Sequence, residues 1–297
     1  MGSMKIFGRI VALVFLAGVL VTGCGASSAG RMLTIGTIKW TENEAVANLT
    51  KVLLEDELGY DDVQLQLIED DPKLLFQGVA EGDLHAFQDV WLPNHSEILA
   101  EVGDRVEHLH PWYRGTTRFS MAAPSYMGID SIDEINTTGA TEIYGIEPGS
   151  VIMQKIPNRT IPEYGLKQQL VAAGTPAMLL EVNSLYRNKE DFVFVAWSPH
   201  WMNQEYDFTY LKDPKGSLGN LTEPAKISTI VRKNLKEDDP AAYAFLDALT
   251  LTEDQINSLE LEIKDADDPA EGVKRWLEDN DAVADPWISA ARQAREG

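Results

Sequence analysis

Residues 31–69 read RMLTIGTIKWTENEAVANLTKVLLEDELGYDDVQLQLIE, and the order of patterns along this stretch decides the fold class. RMLTIGTI (31–38) is apolar and rich in β-branched residues, as a buried strand requires. NEAVANLTKVLLEDEL (43–58) puts Val46, Leu49, Leu53 and Leu54 on one helical face and stops at Gly59. VQLQLIE (63–69) alternates apolar with polar and reads as a second strand. PKLLFQGVAEG (72–82) is then a short helix and LHAFQDVW (84–91) a third strand. Strand, helix, strand, helix, strand is the order of a parallel sheet with helices on its faces.

A second set follows. RFSMAAP (118–124), TEIYGIEP (141–148), DFVFVAW (191–197) and ISTIVRK (227–233) read as strands. SIDEI (131–135), the start of GSVIMQKI (149–156) and PAMLLEVNSLYRNK (176–189) read as helices, and three helical stretches close the chain. Two α/β units within 297 residues suit two lobes better than one core. The expected first lobe is 32–122 plus 226–297 and the second 123–225. The crossings fall near Ala122–Ser125 and Leu221–Lys226. Two crossings make a hinge with a cleft between the lobes.

The N-terminus is read apart from the fold. Lys5 and Arg9 precede the apolar run IVALVFLAGVLV, and VTGCGASS follows. A basic start, a short apolar run and small residues make a secretory leader, residues 1–23. V-T-G-C resembles a bacterial lipoprotein box, which implies lipid attachment at Cys24 and an extracytoplasmic, membrane-anchored protein. Residues 24–31 are a flexible tether. Cys24 is the single cysteine, so no disulfide framework is expected. A formal net charge of −22 argues against nucleic acid as a partner.

Three tryptophans stand where strands run out: Trp40 in TIGTIKWTEN (34–43), Trp91 in HAFQDVWLPNH (85–95) and Trp197 in FVFVAWSPH (192–200). Ligands of open α/β sheets bind beyond the carboxyl ends of the strands. Two of these residues belong to one expected lobe and one to the other, so three indole faces converge on one cleft. Indole faces attract a cation, and a quaternary ammonium has no N–H to donate and needs no hydrogen-bonding site. A core tryptophan is the competing explanation for each residue taken alone. Trp276 and Trp287 read as packing, Trp201 as a second layer behind Trp197, and Trp112 is left open.

K-W-T-E, V-W-L-P-N-H, Y-G-I-E-P-G-S and A-W-S-P-H-W-M-N together resemble the glycine betaine/choline-binding proteins of ABC importers. The resemblance implies a two-lobed periplasmic-binding-protein fold of type II and a quaternary ammonium ligand in an aromatic box. It also implies delivery to a membrane permease, and osmoprotection is the expected purpose; a monomer without cofactor is expected. By motif, Trp40, Trp91 and Trp197 form the box. Phe119 stands where some choline binders have a box tyrosine. Backbone N–H groups of Ser150, Val151 and Ile152 receive a ligand carboxylate, as the start of a helix after Pro148-Gly149 also suggests. Glu147 is expected to brace that loop. His95 either donates to the carboxylate or sits on the surface of the helix beginning near Ser96. Glu42, beside Trp40, suits the hydroxyl of choline and would repel a carboxylate if it pointed inward. These features favour glycine betaine, with choline or carnitine as the alternative and an amino acid behind them.

An enzyme is not expected. No G-x-S-x-G, H-E-x-x-H or phosphate-loop motif occurs. His108-x-His110 is a possible metal pair lacking a third ligand.

Overall fold

A computed structural model describes Met1 and residues 31–296. Apart from Met1, the expected leader (1–23) lies outside the described residues, as do Cys24 and all of the tether but Arg31. Strands β1 (Met32–Thr37), β2 (Asp62–Leu67) and β3 (Ala86–Leu92) alternate with helices α1 (Thr41–Asp56) and α2 (Pro72–Glu81). β1 pairs in parallel with both β2 and β3, as crossover helices demand. α2 starts where the Asp71 side chain accepts from Lys73 N–H, and stops at left-handed Gly82. It lies so close to β1 that a Cβ on Gly36 would meet Leu75 Cδ2 at 2.6 Å. A larger residue there would have to displace the ends of the Leu75 and Leu84 side chains.

After α3 (Ser96–Val102) comes β4 (Val106–Pro111). Its histidines are engaged singly: His108 Nε2 meets Ser228 Oγ at 2.5 Å and His110 Nδ1 meets Asp247 Oδ1 at 2.8 Å. Among the described residues no three potential ligands are grouped as a metal site.

β5 (Arg118–Pro124) then pairs with β8 (Val193–Ser198) and β9 (Phe208–Tyr210). It belongs to the second sheet, ordered β7-β6-β8-β5-β9, and not to the first, ordered β2-β1-β3-β10-β4. The expected crossing at residue 122 is therefore corrected: the chain changes sheets between Pro111 and Arg118. The second sheet also holds β6 (Glu142–Gly145) and β7 (Gln169–Ala172). Helices α4 (Val151–Lys155), α5 (Ile161–Tyr164), α6 (Thr175–Asn188) and α7 (Met202–Glu205) accompany it, and a π-helical turn, Ile156–Thr160, joins α4 to α5. The chain returns as β10 (Lys226–Arg232), antiparallel between β3 and β4. The two crossing segments are tied together: the Thr117 hydroxyl accepts from Ala225 N–H at 2.6 Å and donates to Ala225 O at 3.3 Å.

The C-terminal helices α8 (Leu235–Asp238), α9 (Pro240–Ala248), α10 (Glu253–Lys264) and α11 (Pro269–Glu296) return to the first lobe, where α10 and α11 pack on α1. α11 is kinked at Asn280. Trp276 and Trp287 are buried in this layer, the first donating to Ser258 Oγ and the second edge-on to Phe245. Trp112 is also core, its indole N–H donating to Gln88 O at 2.6 Å.

Candidate functional site

The sheets face each other with the tryptophan-bearing strand ends between them. Trp40 is the N-cap of α1, beyond the end of β1. Trp91 and Trp197 do not follow their strands, as expected, but are each the penultimate residue, of β3 and β8 respectively. Phe119, in β5, lies directly across from Trp197 in the antiparallel pair, and its ring is tilted against Trp91 at 6.1 Å. These four aromatics line one cavity. Glu42, His95, Ser150 and Val151 line it too, with Asn94 and Ile146, which sequence reasoning missed. The Ile152 side chain does not; it is fully buried in the core.

Each indole N–H donates to a buried carboxylate. Trp40 Nε1 donates to Glu147 Oε2 at 2.7 Å, Trp91 Nε1 to Asp89 Oδ1 at 2.8 Å and Trp197 Nε1 to Glu42 Oε2 at 2.8 Å. The N–H is the one polar atom of the ring, so satisfying it fixes the ring plane. Two of the three bonds span the cleft. Trp40 of the first lobe reaches the loop after β6, and Trp197 of the second lobe reaches α1. Glu147 does brace its loop, accepting also from Thr175 N–H and Thr175 Oγ1, both at 2.9 Å.

Burial raises the pKa of two of these carboxyls, Asp89 and Glu42. Desolvation pushes Asp89 up to about 8, against the opposing pull of the Trp91 N–H. Desolvation and then the charge of Asp89 raise Glu42 well above the usual carboxylate range. That rise lessens the repulsion Glu42 would offer a ligand carboxylate, although it lines the cavity.

His95 is buried, not on the helix surface. Its Nδ1 accepts from the Trp91 backbone N–H at 3.1 Å, and its ring lies 6.0 Å from Trp40, nearly parallel. Accepting at Nδ1 puts the ring proton on Nε2. Desolvation lowers the imidazole to about 4, so it is a neutral Nε2–H donor at ordinary pH. His200, beneath Trp197, is likewise neutral, lowered to about 3 by burial, and its Nδ1 accepts from Met202 N–H.

The loop before α4 departs in one respect from expectation. Ser150 N–H already donates to Glu147 O at 3.0 Å within the turn. Its hydroxyl is buried without a partner. Among the described residues, the N–H groups of Val151 and Ile152 donate to no protein acceptor, as befits the first turn of a helix. The cavity therefore combines aromatic faces with a hydroxyl, an imidazole N–H and a helix start, a set that suits an organic cation carrying an anionic or hydroxyl group.

A family model described as the substrate binding domain of ABC-type glycine betaine transport system matches residues 31–279. The chain is 36% identical over 182 residues to the glycine betaine/carnitine transport binding protein GbuC of Listeria monocytogenes. That match covers 60% of this chain and 57% of the relative, so it spans little more than half of the relative's length. Lactococcal OpuAC in its closed-liganded conformation, complexed with glycine betaine, superposes with a TM-score of 0.76 at 29% identity, covering 87% of this chain and 99% of that one. An ABC-transporter choline binding protein in complex with choline shares the fold, with a TM-score of 0.77 at 22% identity over 89% of this chain and 96% of that one.

Proposed function

The chain belongs to the family of substrate-binding domains of ABC-type glycine betaine transport systems, and from that premise we propose that it captures a quaternary ammonium solute, glycine betaine first, and delivers it to an ABC permease. The family is one of binding proteins, not enzymes. One observation carries the reading: three indoles from two lobes line a single cavity, each with its N–H engaged by a carboxylate. A methylated cation needs aromatic faces and nothing to receive a proton, and each face contributes about 0.5–2 kcal/mol.

The donor set supports a carboxylate-bearing ligand. Neutral His95, the Ser150 hydroxyl and the Val151 and Ile152 amides suit an anion, and the burial that raises Glu42 lessens its opposition to one. Choline is the second reading, favoured by Glu42 itself, which can accept from a hydroxyl. Calorimetric titration with glycine betaine, proline betaine, carnitine and choline decides between them. Absence of saturable binding to all four would overturn the proposal. His95→Ala is expected to weaken glycine betaine about tenfold, the worth of a hydrogen bond to a charged group, and to change choline affinity less than about twofold. Equal loss for both ligands would place His95 away from the carboxylate.

Ligand works here as a wedge between open and closed populations: it binds the closed arrangement better and shifts the equilibrium toward it. The permease then meets a surface made by both lobes. The protein is further proposed to act as a monomer outside the cytoplasm, held to the membrane by lipid on Cys24. Cys24→Ser should move it from the membrane fraction to the soluble fraction; continued membrane retention would discard the anchor.

A further inference from the structure

The segment carrying Trp197 does not end at the cavity. It runs on along one side of α10, a helix of the first lobe. Ser198 Oγ donates to Glu253 Oε1 at 3.0 Å, the Trp201 backbone N–H donates to Glu260 Oε2 at 2.6 Å, and Glu205 pairs with Lys264. Residues 253, 260 and 264 share a helical face. Of the three contacts only the middle one is sealed from water. Glu260 is 3% exposed, and its Oε1 has no partner. The Trp201 ring lies beside it, with Lys264 Nζ 4.7 Å from the ring centroid. Glu260 is not among the residues lining the ligand cavity.

We propose that Glu260 is a positioning residue: by accepting the Trp201 N–H across the cleft it seats the Trp197 segment, and so sets ligand affinity without touching ligand. The inference rests on the reading of the cavity as a quaternary ammonium site. It adds a residue from the C-terminal helices, outside every motif that carries that reading.

The chemistry of the contact adds a proton. Parting of the lobes would return Glu260 to water and, with it, toward an ordinary carboxylate's acidity. With the lobes together it loses that water and gains one N–H, which is poor compensation for a buried anion. Several titratable groups surround it. Glu42 of α1 and Asp89 of β3 are acidic, and Tyr113 is a phenol raised by burial. Lys39 and Glu44 pair with each other at 3.0 Å in the same crevice, and Lys264 is engaged by Glu205. Desolvation first, and then the charge of Glu42, raise Glu260 well above the usual range, against the pull of Trp201 N–H. The sign follows. A group raised in the closed state favours closure at low pH, and that contribution is lost as pH rises through the raised value. Between the open-state and closed-state values, closing on ligand takes up a proton.

The test is calorimetric titration of glycine betaine and choline into wild type, Glu260→Ala and Glu260→Gln, across pH 6 to 8.5 and in buffers of different ionisation enthalpy. Glu260→Ala removes the acceptor and is expected to raise Kd about tenfold or more at neutral pH, the scale of one buried hydrogen bond. Glu260→Gln keeps a carbonyl for the Trp201 N–H without titrating. It should bind within about threefold of wild type at pH 6, with less proton uptake and a flatter pH profile. Wild-type binding with an unchanged Glu260→Ala Kd would overturn the proposal alone. So would a Glu260→Gln pH profile identical to that of wild type, which decides the matter even if the alanine variant fails to fold. A wild type that binds neither compound would remove the ligand reading and this inference together.

Discussion

Trp197→Ala is expected to weaken glycine betaine binding about a hundredfold, with the unliganded protein still folded. Two losses combine. One aromatic face goes, worth about 0.5–2 kcal/mol. The cross-cleft bond to Glu42 goes with it, worth about 1–3 kcal/mol when a buried group is left without its partner. At about 1.4 kcal/mol per tenfold, their sum brackets a hundredfold. Trp197→Phe separates the parts, because it keeps a face and loses the N–H, and its loss should fall between wild type and alanine. Titration calorimetry with a thermal melt of each unliganded variant checks this. An unchanged dissociation constant for Trp197→Ala would remove the residue from the site.

Gly149→Ala should lower affinity about thirtyfold while leaving the unliganded melting temperature in place. Gly149 N–H donates to Asp70 O at 3.0 Å, across the cleft from the second lobe to the first. A Cβ at Gly149 would stand 2.6 Å from Asp70 O and 2.7 Å from Asp71 Cα. Both are main-chain atoms that cannot swing aside. Overpacking of this kind costs about 1–3 kcal/mol, and here the cost falls on the closed form alone. The discriminating observation is the pairing of the two measurements. A lower unliganded melting temperature with unchanged affinity would mean that Gly149 serves the second lobe's own packing.

Much of this was legible in the sequence. The helical face of Val46, Leu49, Leu53 and Leu54 is buried in α1, since amphipathic periodicity reports burial directly. RFSMAAP forms β5 at the expected residues, 118–124. Its sheet is not the expected one, because an apolar run says that a strand is buried but not which neighbours it pairs with. β9 was missed for another reason: three half-buried residues carry too few periods to register.

The aromatic box was legible through its motifs, but its outer layer was not. Trp40 and Glu147 are 107 positions apart, and Trp197 and Glu42 are 155 apart. No local pattern links such pairs. Asp89 and Trp91, two residues apart in one strand, share a face, and that signal was present in F-Q-D-V-W. The Ser150 N–H was assigned to a ligand from its place before a helix, whereas the turn itself uses it. Turn geometry, which local sequence specifies loosely, decided that point.

Trp40 and Trp197 each hand a ring proton to an acceptor on the opposite half of the molecule. In deuterated water those two protons should be swapped for deuterium quickly while the halves stand apart and slowly once they meet. They are thus a pair of internal clocks, one on each wall, readable as separate indole resonances. Rigid swinging of the halves would slow both clocks together, whereas engagement of one rim before the other would slow them one at a time.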